Sequence, residues 1–247
     1  MKFKLTNETK TYYGKTLYRI ECVEPFANVK TGDKGGWIES EKNLSQDGNA
    51  WVHGDAWVYG NAKVYDDAWV YGDAQVCGDA QVSDNAQVYG DAKVYGDAQV
   101  YGNAQVCGDA QVSDNAQVYG NAKVYGDAQV YGNAWVHGDA WVYGNAWVYG
   151  NAKVYGNAKV YGNAQVYGDA QVCGNAQVCG DADYVVFKNN WSSGRYFTWT
   201  KSNNMWKVGC FYGTGEELIA KAYKDSENSG KHYETYVKFV ETLKAIN

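Results

Sequence analysis

From Trp51 to Ala182, apolar and polar positions follow an unbroken six-residue beat, x-Val-x-Gly-Asp/Asn-Ala, repeated 22 times with few departures. Valine holds the second position of every unit, Val52 to Val178, and alanine the sixth, Ala56 to Ala182. Each alanine and the next valine are two residues apart, so on a strand they share one face while the residues flanking valine point the other way. The Gly-Asp or Gly-Asn pair supplies residues that tolerate positive φ, which predicts a corner after each short strand. A helix is excluded, because a period of six matches neither helical repeat and glycine recurs throughout. Hairpins are excluded too, since such short strands cannot hold a register alone. Three strands per 18-residue coil solve the problem, with coils stacked about 4.8 Å apart. The 22 units then make about seven coils and a shaft roughly 35 Å long, filled by columns of valine and alanine.

This repeat resembles the left-handed β-helix of hexapeptide-repeat proteins, and the resemblance covers residues 51–182. It is the resemblance, and not the period, that implies the left hand. The fold expected is all-β: a left-handed parallel β-helix between an N-terminal β cap (residues 1–50) and a small α+β C-terminal cap (residues 183–247). Covers are needed because both ends of a solenoid would otherwise template pairing with other chains. On the N-terminal side, KTLYRIECV reads as a strand and GDKGGWIESEKNLSQDGNA as a turn-rich lead-in. On the C-terminal side, DYVVF, GRYFTWT and MWKVGCFY read as three strands, with a turn at Ser202, Asn203 and Asn204. Thr214 and Glu217 form a capping box that opens a helix. A second helix starts near Ser229, with Tyr233, Tyr236, Val237, Val240 and Leu243 on one stripe. GDKGGWIES followed by hexads resembles phage- and prophage-encoded hexapeptide proteins of unassigned activity. WKVGCFYGTGEEL resembles a small C-terminal module of phage proteins, also without an assigned role. Both resemblances imply a mobile-element origin.

Composition narrows the partners. Aromatic residues make up 16% of the chain, which excludes disorder over most of its length. There is no apolar run of about 18 residues, so no membrane partner is expected, and MKFKLTNETKTYYGK has no apolar core of a secretory leader. Six cysteines without a CxxC pair fit reduced thiols, and hence the cytoplasm of a bacterial host. The formal charge of -6 argues against duplex nucleic acid as a partner. Residues 51–182 hold five Lys against 14 Asp, so the shaft is acidic, while the first 50 residues net +1 and the last 65 net +2.

Recognition on the shaft is confined to outward positions. The residue after valine is Tyr in 14 units, Cys in 4, His in 2 and Ser in 2; the residue before it is Gln in 11, Trp in 6 and Lys in 5. One reading is a contact surface; the other is that ladders of like side chains simply stabilise neighbouring coils. Residues 75–104 and 105–134 are near-identical, and a duplication of five hexads turns each side chain onto the next face, which favours the second reading. Trp135, Trp141 and Trp147 place one Trp on each face of a coil, while Trp51 and Trp69 share a face with Trp57 around the corner; these six are the candidate contacts of a homo-oligomer. Packing under the end segments competes with that reading. Trp191, Arg195, Tyr196, Trp199, Trp206, Lys207 and Tyr212 are the candidate ligand-binding set, able to hold a nucleotide or sugar by stacking and charge, or else to form the core of a small domain. The corner column led by Asp55, Asp73 and Asp91 suggests cations, although Asp and Asn interchange freely at such corners, and neither a metal site nor a cofactor is expected.

Many proteins of the resembled class are acyltransferases or carbonic anhydrases. The former use a His base beside a loop that interrupts the hexads, and nothing interrupts the 22 units here. The latter need three His around one zinc, whereas His53 and His137 lie in duplicated strings 84 residues apart and His232 falls in the second helix. Cys77, Cys107, Cys173 and Cys179 replace Tyr at outward sites and have no His or Cys partner in register. The function expected is that of a non-catalytic structural or interaction protein of phage or prophage origin that self-associates. The alternatives are a protein sequestering a small nucleotide-signal or sugar ligand against host defence, and an acyltransferase of the hexapeptide class.

Overall fold

The computed structural model describes residues 1–246. Every hexad forms a short strand, from Trp51–Val52 to Gln177–Val178, and each pairs in parallel with the strand 18 residues away. Three parallel ladders result, one per side of the coil. Face 1 carries Trp57, Lys93 and Trp147; face 2 carries Trp51, Trp69 and Trp141; face 3 carries Lys63, Trp135 and Lys153. Every valine and alanine of the repeat is fully buried up to Val178, so the interior columns are as the alternation requires.

The shaft is longer than the repeat. Strands β1 (Phe3–Tyr12), β2 (Lys15–Cys22) and β3 (Lys34–Ile38) form an antiparallel meander, and Trp37 and Ile38 of β3 then pair in parallel with Trp57 and Val58. Leu44 bridges Val64 in the same way. Each face therefore has eight rungs and the solenoid about eight turns. Ile38 and Leu44 fill valine's place in this extra coil without repeating its letters.

The two ends are closed by opposite chemistry, because the ladders have a direction. Each strand amide donates to a carbonyl of the next coil, as Gln75 N does to Ala92 O at 2.9 Å. The first coil thus presents spare carbonyls and the last coil spare N–H groups. At the carbonyl end, donors arrive. Lys2 Nζ reaches Ala50 O at 2.9 Å, and Asn43 Nδ2 reaches Ala62 O at 2.9 Å and Gly60 O at 3.0 Å. Burial pulls the Lys2 ammonium down to about 8, against the attraction of Asp47 and Asp67. At the N–H end, acceptors arrive, one for each face. Asp181 Oδ1 takes Gln165 N at 3.0 Å, Thr198 Oγ1 takes Gln171 N at 2.9 Å, and Ser202 Oγ takes Gln177 N at 2.7 Å. Phe3, Ile20, Val29 and Leu44 continue the core at one end and Tyr184 at the other.

The C-terminal unit is a four-stranded antiparallel sheet, Tyr184–Lys188, Tyr196–Thr200, Met205–Val208 and Phe211–Gly213. The segment MWKVGCFY gives two strands rather than one, because the chain turns at Gly209 with φ 55°. Helix α1 (Gly215–Asp225) opens on the expected box, with Thr214 Oγ1 accepting from Glu217 N and Glu217 Oε2 accepting from Thr214 N. Helix α2 (Glu227–Ile246) packs with it over a second core made by Phe197, Trp199, Trp206, Val208, Leu218, Tyr233 and Val240. No helix among the described residues is long and apolar enough to cross a membrane.

Corner glycines are held to their type by the coil below. Gly120 has φ 72°, and an added Cβ would sit 3.0 Å from Gly138 N. Aspartate nevertheless occupies equivalent corners at Asp84 (φ 54°) and Asp114 (φ 55°). There its carboxylate accepts the amide that glycine leaves to solvent: Asp84 Oδ2 takes Gly102 N at 2.9 Å and Asp114 Oδ2 takes Gly132 N at 3.0 Å. Gly120→Ala is therefore expected to cost about 1–2 kcal/mol for the left-handed backbone and more for the crowding. Gly120→Asp should cost less than Gly120→Ala despite its greater bulk, and urea unfolding of the two variants measures the order.

Candidate functional site

The outward residues form continuous ladders. Tyr101 and Tyr119 stack with centroids 4.8 Å apart and planes 2° apart, and the column continues through His137 to Tyr155 at 4.8 and 4.9 Å. Tyr125, Tyr143 and Tyr161 do the same on face 2, and Tyr131, Tyr149 and Tyr167 on face 1. Rungs tie these columns to the glutamines: Tyr101 Oη donates to Gln117 Oε1 at 3.3 Å, and Tyr65 Oη to Gln81 Oε1 at 3.2 Å. At the corners, Asn103 donates to Asn121 and Asn121 to Asp139. Aromatic pairs of this kind contribute about 0.5–1.5 kcal/mol each beyond their burial, so the ladders stabilise the stacking of coils whatever else they do.

The six tryptophans are not equivalent. Trp51 is fully buried, edge-on to Phe3 and Phe26 of the N-terminal segment, so packing under that segment accounts for it and no surface is left for a second chain. Trp57 is covered by Tyr12 and Lys10, and Trp69 lies against His53. Around the far coil, Trp135 is capped by Lys153 Nζ at 4.2 Å, and Trp141 lies between Lys123 and Lys159 at 5.4 and 5.0 Å. Trp147 stands between Gln129 and Gln165 in its ladder, with only the edge of Tyr131 against it, and is 37% exposed. The large apolar side chains of the shaft that stand exposed are Tyr95, Trp147 and Tyr167, and all three are on face 1.

The C-terminal set does not converge. Alternation along the sheet turns Trp199 and Trp206 toward the helices, where they are buried. Tyr196, Lys207 and Tyr212 point the other way. Tyr196 reaches Asp169, Lys207 Nζ lies 5.9 Å from the Tyr155 ring, and Tyr212 Oη donates to Cys173 O at 3.4 Å. These three are the seam between cap and shaft. Arg195 and Trp191 are exposed in the loop between strands. Trp191 lines a cavity of 410 Å³ with Lys231, His232, Thr235 and Tyr236 of α2, and Tyr196 lines a separate one of 360 Å³ at the seam with Trp135, Lys153 and Asp169. The sequence pattern offers no cue for those helix residues, because a loop brings Trp191 to them.

Asp55 heads the corner column, and Lys10, Trp37 and Arg19 beside it hold its carboxyl below the usual range. The two shaft histidines belong to ladders. Burial holds the His137 imidazole below its ordinary value, with Lys153 adding to the effect, and burial does the same to His53 against the pull of Asp33. As pH falls through about 6.5 the unfolded chain takes up these protons first, so stability is full above that value and lost below it. His137→Tyr continues the column from Tyr119 to Tyr155 and removes one titrating ring. Its loss of unfolding free energy between pH 7.5 and pH 5 should be smaller than that of the unchanged protein, and equal losses would contradict the burial argument.

These features define a class: a β-solenoid built of repeats, capped at both ends, with stacked aromatic flanks. In keeping with this, residues 74–90, 86–102, 104–120, 128–144, 152–168 and 158–174 match the family described as YdcK Beta solenoid repeat. The chain is thus similar to that family over the middle of the shaft. No curated protein matches it.

Proposed function

We propose that this chain is a non-catalytic structural and interaction protein that pairs with a second copy of itself along face 1. The observation that carries the reading is the placement of Tyr95, Trp147 and Tyr167, the exposed large aromatics of the shaft, on one flank. Trp135 and Trp141 are sheltered by lysines, whereas Trp147 is not. Both ends are closed by capping side chains, so stacking end to end is disfavoured and a lateral contact remains. A strip eight coils long is roughly 38 Å at the usual strand spacing. At about 15 Å wide it offers on the order of 600 Å² per protomer, near the lower bound of a specific interface. A two-fold axis makes such a patch self-complementary. The non-catalytic part rests on His53 and His137 being held in aromatic packing rather than beside an interrupting loop. The resemblance of both end segments to phage and prophage proteins supports a mobile-element origin and a place in the cytoplasm of a bacterial host.

Sedimentation velocity tests the pairing. A dimer that becomes monomeric in Trp147→Lys, and not in Trp135→Lys, is expected. A strict monomer, or a dimer indifferent to both substitutions, overturns it.

A second reading draws on the groove where Trp191 faces Lys231, His232 and Tyr236. An aromatic plane beside a cation suits a nucleotide or sugar, and sequestration of such a ligand is the activity it supports. Bound ligand raises apparent stability, so an unchanged melting temperature across a nucleotide and sugar panel removes this reading.

A further inference from the structure

The tyrosine columns have breaks one ring wide. On face 3 the column runs Tyr65, Ser83, Tyr101, with the serine standing where a phenol would complete the ladder. Intact columns place one ring per coil at 4.8 Å, as at Tyr101 and Tyr119. Tyr65 and Tyr101 are two coils apart, so a ring inserted between them would meet both faces at the ladder's own spacing. Tyr65 Oη is held by Gln81 of the serine's own coil at 3.2 Å, and Tyr101 Oη by Gln117 of the coil beyond at 3.3 Å. What remains is a cavity of 220 Å³ lined by Tyr65, Gln81, Ser83, Gln99 and Tyr101.

The geometry points to a binding site for one small neutral phenol in this break. The polar half of the argument is the missing rung. Tyr65, Tyr101 and Tyr149 each donate to the Gln 16 residues on, and the rung that would end at Gln99 begins at residue 83, where serine is too short to reach. A phenol lying between Tyr65 and Tyr101 presents its hydroxyl to the Gln99 carboxamide and restores both the stack and the rung. Asp84, at the corner beside the break, places a carboxylate there and selects against phenolates and carboxylates. The duplication copies the device onto face 1, where Ser113 lies between Tyr95 and Tyr131, with Asp114 at the corner and Gln129 in the place of Gln99. Two sites per chain follow.

The test uses p-cresol, the side chain of tyrosine as a free molecule, titrated into the full chain by calorimetry and by ligand-detected NMR. Two equivalents are expected to bind the unchanged protein, one to bind Ser83→Tyr or Ser113→Tyr, and none to bind the double variant, in which covalent phenols fill both gaps. A paired variant, Gln99→Leu with Gln129→Leu, keeps the slots open. It should weaken p-cresol about fivefold, as loss of one neutral hydrogen bond does, while toluene binding stays unchanged. No binding to the unchanged protein at millimolar p-cresol overturns the inference. So does binding that survives in the double tyrosine variant, or equal loss of p-cresol and toluene in the leucine variant. The Ser83 site on face 3 stands apart from the pairing proposed for face 1, whereas the Ser113 site shares Tyr95 with it, so one equivalent in the unchanged protein that becomes two in Trp147→Lys reports a paired face 1, and one equivalent in both overturns the second site.

Discussion

Val118→Asp is expected to break the shaft in the middle, whereas Tyr119→Asp, one residue on, is expected to leave it standing. Val118 is fully buried, in the ladder between Val100 and Val136, with only valine and alanine columns around it. A carboxylate placed there has no partner, and an unpaired buried charge costs several kcal/mol even after water and backbone adjust. A solenoid is held coil by coil, so each coil has only two neighbours to share the damage. The coils on either side should separate at this point, and limited proteolysis should cut first around residues 114–121. Tyr119 faces out, stacked on Tyr101 and His137 at 4.8 Å each. Its loss removes two ring contacts, about 1–3 kcal/mol together, and leaves the new carboxylate in water. Urea unfolding of the two variants reads the contrast. Similar losses from adjacent residues would mean that the alternation does not separate inside from outside.

That contrast was legible in the letters because it is local: two residues decide which way a side chain points, and the repeat states it 22 times. Register was legible for the same reason. What the letters hid is whatever depends on residues far apart in the chain. The additional coil was missed because Ile38 and Leu44 take valine's place without the repeat around them. The end closures were invisible, since Lys2 meets Ala50 and Thr198 meets Gln171 only once the ends fold over. Trp51 and Trp69 have the same local sequence signature, yet the N-terminal segment covers one and leaves part of the other free. The C-terminal set could have been divided in advance. Strand alternation alone sends Trp199 and Trp206 to one side and Tyr196 and Lys207 to the other, so residues chosen for composition were never going to share a site. The breaks at Ser83 and Ser113 were equally plain as letters, and acquire meaning only when the 18-residue column places Tyr on both sides.

Trp206→Ala is expected to unfold the C-terminal unit while the coils stay folded. Trp206 is 1% exposed, edge-on to Phe187 and Phe197 at 6.2 Å each, in a core that is separate from the valine columns. Truncating a buried Trp costs about 3–5 kcal/mol, a large part of what so small a unit holds in reserve. The shaft makes its own contacts and loses nothing directly. What it loses is its lid: Thr198 and Ser202 no longer accept the amides of Gln171 and Gln177, and the last coil is left with open N–H groups. Such an edge templates pairing with another chain. Calorimetry should therefore show the variant melting in two steps, the earlier one missing its near-ultraviolet aromatic signal, with concentration-dependent association growing in between. Val118→Asp with the cap intact should associate through its broken middle instead. If Trp206→Ala melts in a single step together with the coils, cap and shaft are one cooperative unit and the two-core description fails.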